Sequence, residues 1–583
     1  YREIVKSVKY NRPSGDSKEL YLKATRQVLD EFAFLGEDLA YEIVVKNSNK
    51  IADIIGDVRP IPKGRFSPNV EGAEEELRSI TINKAKEIYG DNLPEIVEAR
   101  IKKELDSIIS NGYAALYMIA RKLVLKSNED GYVVGSRGSV GSSLVATMSG
   151  ITEVNPLVAH YICPKCKKSE FFVKENYDTG LDLPDKDCPT CGIPYKKEGH
   201  NIPFEVFLGF EGNKEPDIDL NFAGEYQSIV HQYTEELFGS NFVYRAGTIT
   251  TIADNTAFGY VKKYYEKLDK NVSPAQIAYL QKGIVGTKRS TGQHPGGIMI
   301  VPHENEMEDF SPVNHPANDP TSGIKTTHFA YRAIEETILK LDLLGHDVPS
   351  IIKKLGELTS INPEEIDLTD EKTMSLYSST EALDLKTEIP NLDVGTLGIP
   401  EFGTNFVRQM LKDTKPKTMG ELFRISGLSH GTDVWLNNAQ DLVRNKEAVL
   451  SEVICTRDDI MSFLIQKGLE SNDAFTIMEK VRKGRGLTEE QIHLMNSVDL
   501  PSWYIDSCLK IKYMFPKAHA TAYVLMSFRI AYFKTYYPQA FYASYFTTKL
   551  ADFPGAFAFS GLGPVQGEMK RIKSLGFDAS NKE

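Results

Sequence analysis

Two aspartates stand one residue apart in Pro216-Asp217-Ile218-Asp219-Leu220. Side chains alternate across a strand, so Asp217 and Asp219 would share one face, with Ile218 and Leu220 on the other. Like charges this close repel unless a cation lies between them. Mg²⁺ is commonly held by one or two carboxylates together with substrate phosphates. Taken alone, the pair is equally the solvated acidic face of an edge strand. A second segment, Lys340-Leu341-Asp342-Leu343-Leu344, repeats the alternation, with Lys340 and Asp342 on one face and leucines on the other. A third, Gly135-Ser136-Arg137-Gly138-Ser139-Val140-Gly141-Ser142-Ser143, has the glycines that let backbone amides approach an anion. Arg137 adds a planar fork for phosphate. The helix expected from Leu144 onward would point its positive end the same way. This is not a Walker A loop, since GxxxxGKS/T is absent, and alone it also reads as a flexible turn. Together the three segments describe a nucleotidyltransferase palm. In such a palm Asp217, Asp219 and Asp342 hold two Mg²⁺ ions that clamp an in-line displacement at phosphorus.

Cys163-Pro-Lys-Cys166 and Cys188-Pro-Thr-Cys191 are separated by 21 residues. Four thiolates at this spacing form a closed tetrahedral zinc site, with no open position for catalysis. We expect a structural knuckle, whose neighbours Lys165, Lys167 and Lys168 belong to a solvated loop or touch nucleic acid. Arg482-Lys483-Gly484-Arg485 is followed by Lys510, Lys512, Lys517, His519 and Tyr523. Pro516 suits the first turn of a helix, on which His519 and Tyr523 share a face. Arg482, Lys483, Arg485 and Lys517 suit a triphosphate, and the aromatic rings suit stacking on a base. The bland alternative is a solvated helix with an aromatic core stripe of Tyr523, Phe528, Tyr532 and Phe533. His294 in Thr291-Gly292-Gln293-His294-Pro295-Gly296-Gly297 is either a turn residue or, with Lys288 and Arg289, a DNA contact.

The elements that must position these residues follow from pattern. Helical periodicity covers Val28–Ala52 and stops at the linker Arg59-Pro60-Ile61-Pro62. Residues 86–126 read as amphipathic helix broken near Gly90–Pro94 and Gly112. Strands are expected at Gly131–Gly135, Glu215–Phe222, Ile298–Val301 and Ile338–Leu344. Residues 225–285 read as mostly helical, as does the chain from about 348. A length of 583 residues corresponds to about three to five domains. With 41% hydrophobic and 25% charged residues the composition is globular, which excludes a rod or a wholly disordered chain. No apolar run approaches the roughly 18 residues of a membrane span. The first residue is Tyr1 and no signal peptide follows, so we read an internal piece of a longer soluble protein. Six cysteines in a chain this long exclude a disulfide scaffold and fit a reducing compartment with one metal site. The net charge of −12 argues against nucleic-acid binding as a whole. The distribution is uneven, however. Lys480–Tyr537 carries nine Lys/Arg against four Asp/Glu, and Leu343–Glu401 carries four against twelve. A localised anion-binding surface would look like this.

The segments VGSRGSVGSSLVATM, EPDIDLNF, YRAGTITT, TGQHPGGIMIVP, LKLDLLGHD, GIPEFGTNFVRQML, SGLSHGTDVW and YMFPKAHATAYVLM run across most of residues 30–550. With them the chain resembles the bacterial C-family replicative DNA polymerases, the alpha subunits of DNA polymerase III. It is most similar to their PolC type of low-GC Gram-positive bacteria, which the four-cysteine knuckle before the DxD strand distinguishes. The resemblance implies an α+β, multidomain fold with a polymerase-beta-like nucleotidyltransferase palm, a zinc knuckle, a helical thumb and large helical fingers. It divides the chain into a PHP-domain tail and linker (1–60), a first palm segment with the knuckle at 161–192 (61–222), thumb (223–290) and a second palm segment (291–347). Fingers (348–550) and the start of a C-terminal duplex-binding region (551–583) follow.

By motif match Asp217, Asp219 and Asp342 are the catalytic, Mg²⁺-binding aspartates. Ser136, Arg137, Gly138 and Ser139 face the incoming triphosphate, with Lys340 close by. Arg482, Lys483, Arg485 and Lys517 bind phosphates, and His519 and Tyr523 lie near the nucleotide. The implied activity is templated addition of dNTPs to a primer 3′ end. Its partners are primer–template DNA and, in the full-length protein, the sliding clamp and clamp loader of the replisome. The implied location is a bacterial cytoplasm, at the nucleoid. The exonuclease motifs of a full PolC are not recognisable, and residues 553–573 match the family pattern poorly. The alternatives are a non-templated nucleotidyltransferase and an inactive zinc-knuckle DNA-binding fragment.

Overall fold

The computed structural model describes residues 1–583 apart from 10, 12–20, 174–176, 211, 213, 215, 316–320, 322, 386–391, 552–554, 556–559 and 575–583. The chain is α+β and forms two compact units. One comprises Tyr1–Pro68 and Phe238–Lys340, the other Asn69–Leu237 and Leu341–Glu583. Its strands are β1 (Gly135–Gly138), β2 (His160–Ile162), β3 (Ser169–Phe171), β4 (Lys196–Glu198), β5 (Ile218–Ala223), β6 (Val243–Thr251), β7 (Lys288–Ile300), β8 (Val313–Asn314), β9 (Thr326–Thr327) and β10 (Leu339–His346).

In the first unit β6 pairs antiparallel with β7, parallel with β9 at Arg245↔Thr326, and β9 pairs antiparallel with β8. Tyr244, Ala246, Met299, Val301, Phe310 and Ile338 form a core beneath this ribbon. Helices Asp254–Lys267 and Pro274–Ile284 pack on a second cluster with Ile4. The expected helical stretch 225–285 is thus interrupted by a nine-residue strand, β6. Its run of Thr and Ile carries the β-branched signal that the helical reading overlooked.

In the second unit the broken helix of 86–126 resolves as Ala73–Tyr89, Glu95–Ser110 and Ala114–Glu129. The strand expected at Gly131–Gly135 begins where that expectation ends, because β1 is fixed by pairing with β5 rather than by its own propensity. β5 pairs antiparallel with β1 and parallel with β10. It starts at Ile218, so Asp217 precedes the strand and is exposed; Glu215 lies outside the described residues. A small antiparallel sheet, β3-β2-β4, holds the cysteine segment over a core of Tyr161, Leu183 and Tyr195.

The remaining core is helical, built mainly from residues 348–541. At its centre lies Lys517–Tyr536, with 18 of its 20 residues buried. A helix buried on nearly every side belongs in a core, which corrects the solvated-helix alternative. Its buried cations find partners from distant segments of the chain. Arg529 forks onto Glu153 at 2.8 and 2.6 Å, and Lys534 donates to the carbonyls of Gly395 and Leu397 at 2.7 and 2.6 Å. Helix Leu562–Ser574 accounts for part of the unmatched C-terminal segment. Among the described residues no helix is long and apolar enough to cross a membrane.

Candidate active site

Strand register assembles the carboxylates. Asp219 lies opposite Arg137 of β1 and opposite Asp342 of β10. A row Arg137–Asp219–Asp342 therefore crosses the three strands, and carboxylate oxygens of Asp217, Asp219 and Asp342 lie within 4.8 Å of one another. The Arg137 Nε is 4.0 Å from Asp219 Oδ2. These hard oxygen donors suit a hard dication, and their mutual repulsion falls when one binds. The residues present therefore fit the Mg²⁺ site that their spacing implies.

Gly138 is held at φ +70°, a region that L side chains rarely adopt. A Cβ there would lie 3.1 Å from Asp219 Oδ2. The glycine thus serves both the turn and the approach of the carboxylate. Its N–H donates to His519 Nδ1 at 3.2 Å. Burial, together with the nearby His430, Arg137 and His346, pushes the His519 imidazole well below its ordinary range, so it is neutral and accepts at Nδ1. One turn on, the Tyr523 hydroxyl accepts from Asn221 Nδ2 at 2.7 Å. Asn221 is two residues beyond Asp219 and so shares its face. Three residues further, Met526 fits against Gly135, where a Cβ would meet its sulfur at 2.8 Å. The face formed by His519, Tyr523 and Met526 therefore lies on β1 and β5, beside the carboxylates. His430 packs edge-on to His519 with ring centroids 5.1 Å apart. Its ring pairs with Glu401 at 2.8 Å, and although burial opposes the charge, the Glu401 carboxylate raises its pKa.

The phosphate-cradle reading needs one correction. The helix Leu144–Met148 does begin after Ser143, but its positive end is already occupied. Fully buried Glu104 accepts from the amides of Leu144 and Val145 at 3.0 Å each, from Ser143 Oγ at 2.8 Å and from Arg100 Nε at 2.5 Å. An intramolecular carboxylate sits where an external anion was expected. Ser136 bonds to Thr152 Oγ1 at 2.7 Å and, like Ser139, is buried. Half-buried Arg137 and Gly138 are thus the more open members of the segment.

The basic candidates divide. Arg482 forks onto Glu479 at 2.5 and 2.8 Å, and Lys483 reaches the same carboxylate at 2.9 Å. Burial opposes ionisation of Glu479, but these cations outweigh it and hold its pKa at about 2. Arg485 is exposed. Lys517 does not join His519. Residues two apart on a helix are about 200° apart around its axis, and the Lys517 ammonium turns instead to the Asp178 carbonyl at 3.1 Å. In the first unit the Lys340 ammonium lies 4.5 Å over the Tyr331 ring, and His294 meets the same ring edge-on at 5.2 Å. His294 Nδ1 accepts from the Gly296 amide at 3.3 Å, while Lys288 and Arg289 are exposed at the start of β7.

The two cysteine pairs make the same turn twice. Lys167 and Gly192, each following a second cysteine, have φ +63°. Their amides donate back to the carbonyls of Cys163 and Cys188 at 3.0 and 2.8 Å. The four sulfurs lie within 4.8 Å of one another. Burial opposes the Cys188 thiolate, but the amides of Thr190 and Cys191 outweigh it and bring the pKa to about 6. Soft donors so arranged fit zinc.

Around the carboxylates, Asn221, Glu401 and His430 carried no sequence signal that singled them out, although Asn221 continues the alternation of Asp217 and Asp219; nor did Glu104, which caps Leu144.

A family described as "Bacterial DNA polymerase III alpha NTPase domain" matches residues 75–275 and 260–345, and "Bacterial DNA polymerase III alpha subunit finger domain" matches 347–498. A protein named DNA polymerase III PolC-type from Caldanaerobacter subterraneus subsp. tengcongensis is 58% identical over 97% of this chain and 40% of its own length. Proteins of the same name from Clostridium perfringens and Bacillus subtilis are 55% and 54% identical over 100% and 97% of the chain, and 40% and 39% of theirs. The chain therefore spans about 40% of the length of these curated relatives. At this identity, over nearly all of its residues, the chain belongs to the PolC-type DNA polymerase III family.

Proposed function

We propose that this chain is the replicative polymerase core of a PolC-type enzyme and extends a DNA primer by templated addition of dNTPs. The observation that carries the reading is the meeting of Asp217, Asp219 and Asp342 within 4.8 Å, next to Arg137 and Gly138. Two Mg²⁺ ions, when bound there, would lower the pKa of the primer 3′ hydroxyl and neutralise the triphosphate. The chain's own residues do the rest. Asp219, between Arg137 and Asp342, fixes the spacing of the donors. Arg137 contributes positive charge where the phosphates arrive. Gly138 keeps the approach to Asp219 open, and the neutral His519 holds the Gly138 amide in place. Tyr523, fixed by Asn221, offers a ring beside the nucleotide.

In this reading β1, β5 and β10 belong to a polymerase-beta-like palm (61–222 and 291–347), residues 223–290 to a thumb and 348–550 to fingers. Residues 1–60 are a PHP-domain tail, and 551–583 begin a duplex-binding region. The four cysteines form a structural zinc knuckle. Lys288, Arg289 and His294 contact DNA, Arg482 and Lys483 leave Glu479 for phosphate, and the exposed Arg485 joins them. Clamp and clamp loader join the full-length protein, at the bacterial nucleoid. The test is primer extension on a primed template with four dNTPs and Mg²⁺, wild type against Asp217→Ala. Templated extension by wild type alone supports the reading. Template-independent addition, or no extension by either protein, overturns it.

A further inference from the structure

The 21 residues between Cys166 and Cys188 do more than join the two pairs. Asp178, on this loop, accepts from Arg424 Nε at 2.6 Å and Arg424 Nη2 at 2.9 Å. Its carbonyl accepts from the Lys517 ammonium at 3.1 Å, and that ammonium lies 3.6 Å from Asp178 Oδ1. The side chains of Arg424 and Lys517 are only 13% and 10% exposed, so these are not screened surface pairs. Asp182, four residues on, accepts from the amides of Met419 and Gly420 at 2.8 and 2.9 Å. It thereby satisfies the first two amides of the helix Met419–His430, whose own cap is Thr418. The loop thus holds the first turns of two helices.

Both helices lead to the carboxylate face. Lys517 opens the helix whose next residues on the opposite side, His519 and Tyr523, hold Gly138 and Asn221. Met419–His430 ends at His430, whose ring meets His519. A cavity of about 500 Å³ is lined by Asp178, Arg424 and Lys517 together with Asp458, Phe463 and Trp503. At the head of the Lys517 helix, Asp458 Oδ2 accepts from the Lys517 amide at 2.8 Å, and the Asp178 contacts hold its side chain beside this cavity.

We propose that Asp178 and Asp182 are positioning residues for the carboxylate site, setting the heads of the two helices that bring His519 to Gly138; this rests on the polymerase reading above. The two carboxylates act through Arg424, Lys517 and the amides of Met419 and Gly420.

The test compares Asp178→Asn, Asp182→Asn and the conservative Asp178→Glu with wild type. Three quantities are read: KM for dNTP against kcat in single-nucleotide extension, affinity for primed DNA by anisotropy, and hydrogen exchange of the peptide containing the Gly138 amide. For the two Asn variants, the expectation is a rise of at least fivefold in KM and at least fivefold faster exchange at Gly138. DNA affinity should stay within twofold, and Asp178→Glu should recover most of the loss. Unchanged KM and exchange in both variants overturn the proposal, as does equal loss of DNA affinity, which would mark general damage. Should Asp178→Asn fail to fold, Arg424→Lys keeps the charge and removes the fork; wild-type exchange at Gly138 in that variant equally overturns it. The exchange measurement needs no activity. If wild type does not extend primers, the polymerase reading fails while the positioning of Gly138 is still decided.

Discussion

Alanine at Gly138 separates backbone strain from damage to the carboxylate site. The residue sits at φ +70°, and a left-handed conformation costs an L residue about 1–2 kcal/mol. The new Cβ would also lie 3.1 Å from Asp219 Oδ2 and 3.8 Å from its Cγ. At that separation the carboxylate must give by a few tenths of an ångström. A displacement of about 1 Å costs roughly 100-fold in rate, so a fraction of it should cost roughly tenfold. Gly72 supplies the control. It has φ +71° with nothing within 4 Å of a Cβ, and it caps a helix far along the chain from the carboxylates. Gly138→Ala and Gly72→Ala should therefore lose similar stability in urea unfolding, about 1–2 kcal/mol each. Only Gly138→Ala should slow single-turnover nucleotide incorporation. Wild-type incorporation by Gly138→Ala would refute the reasoning, and so would an equal slowing by Gly72→Ala.

Glu104→Ala should destabilise the protein on the order of 3–5 kcal/mol, because Arg100 and two helix-end amides lose a buried anion. A loss under about 1 kcal/mol in urea unfolding would contradict this. Burial pushes His200 down to about 4 from an ordinary 6.5, so between those values the unfolded chain binds the proton and the folded one does not. Stability should fall as pH drops through that window, by about 2 kcal/mol at pH 5. His200→Gln, compared with wild type at pH 7 and pH 5, should remove that part of the acid loss. Elemental analysis should find one zinc per chain, and chelation should expose four thiols to a thiol reagent. Cys455 and Cys508, 0% and 2% exposed, should react only on unfolding. Four reactive thiols before chelation would contradict the knuckle.

The alternation of Asp217-Ile218-Asp219-Leu220 and of Lys340-Leu341-Asp342 was enough to choose the carboxylates, because a strand's period of two is local information. Their meeting depends on the parallel pairing of Asp219 with Asp342, more than a hundred residues away, which no local pattern encodes. Likewise β1 forms from Gly-Ser-Arg-Gly, poor strand formers, while the β-branched Val133-Val134 before it stays outside, because pairing with β5 decides. Glu104 sits on an ordinary amphipathic helix, and nothing in its neighbours announces that it caps Leu144. Lys517 and His519 looked like one basic cluster in sequence, but helical geometry sends them to opposite sides. The cysteine pairs were the most legible feature, because a CPxC turn is specified within a few residues.

Asp217, Asp219 and Asp342 are held here to act as one unit in chemistry. The most direct test is the single-turnover rate of nucleotide incorporation by Asp217→Asn, Asp219→Asn, Asp342→Asn and the Asp219→Asn/Asp342→Asn pair, with primed-DNA affinity measured alongside. Each single variant should lose at least roughly 100-fold, with the pair little worse than either single and DNA affinity within about twofold, as residues acting together are non-additive. Incorporation at the wild-type rate by any of the three single variants would contradict this.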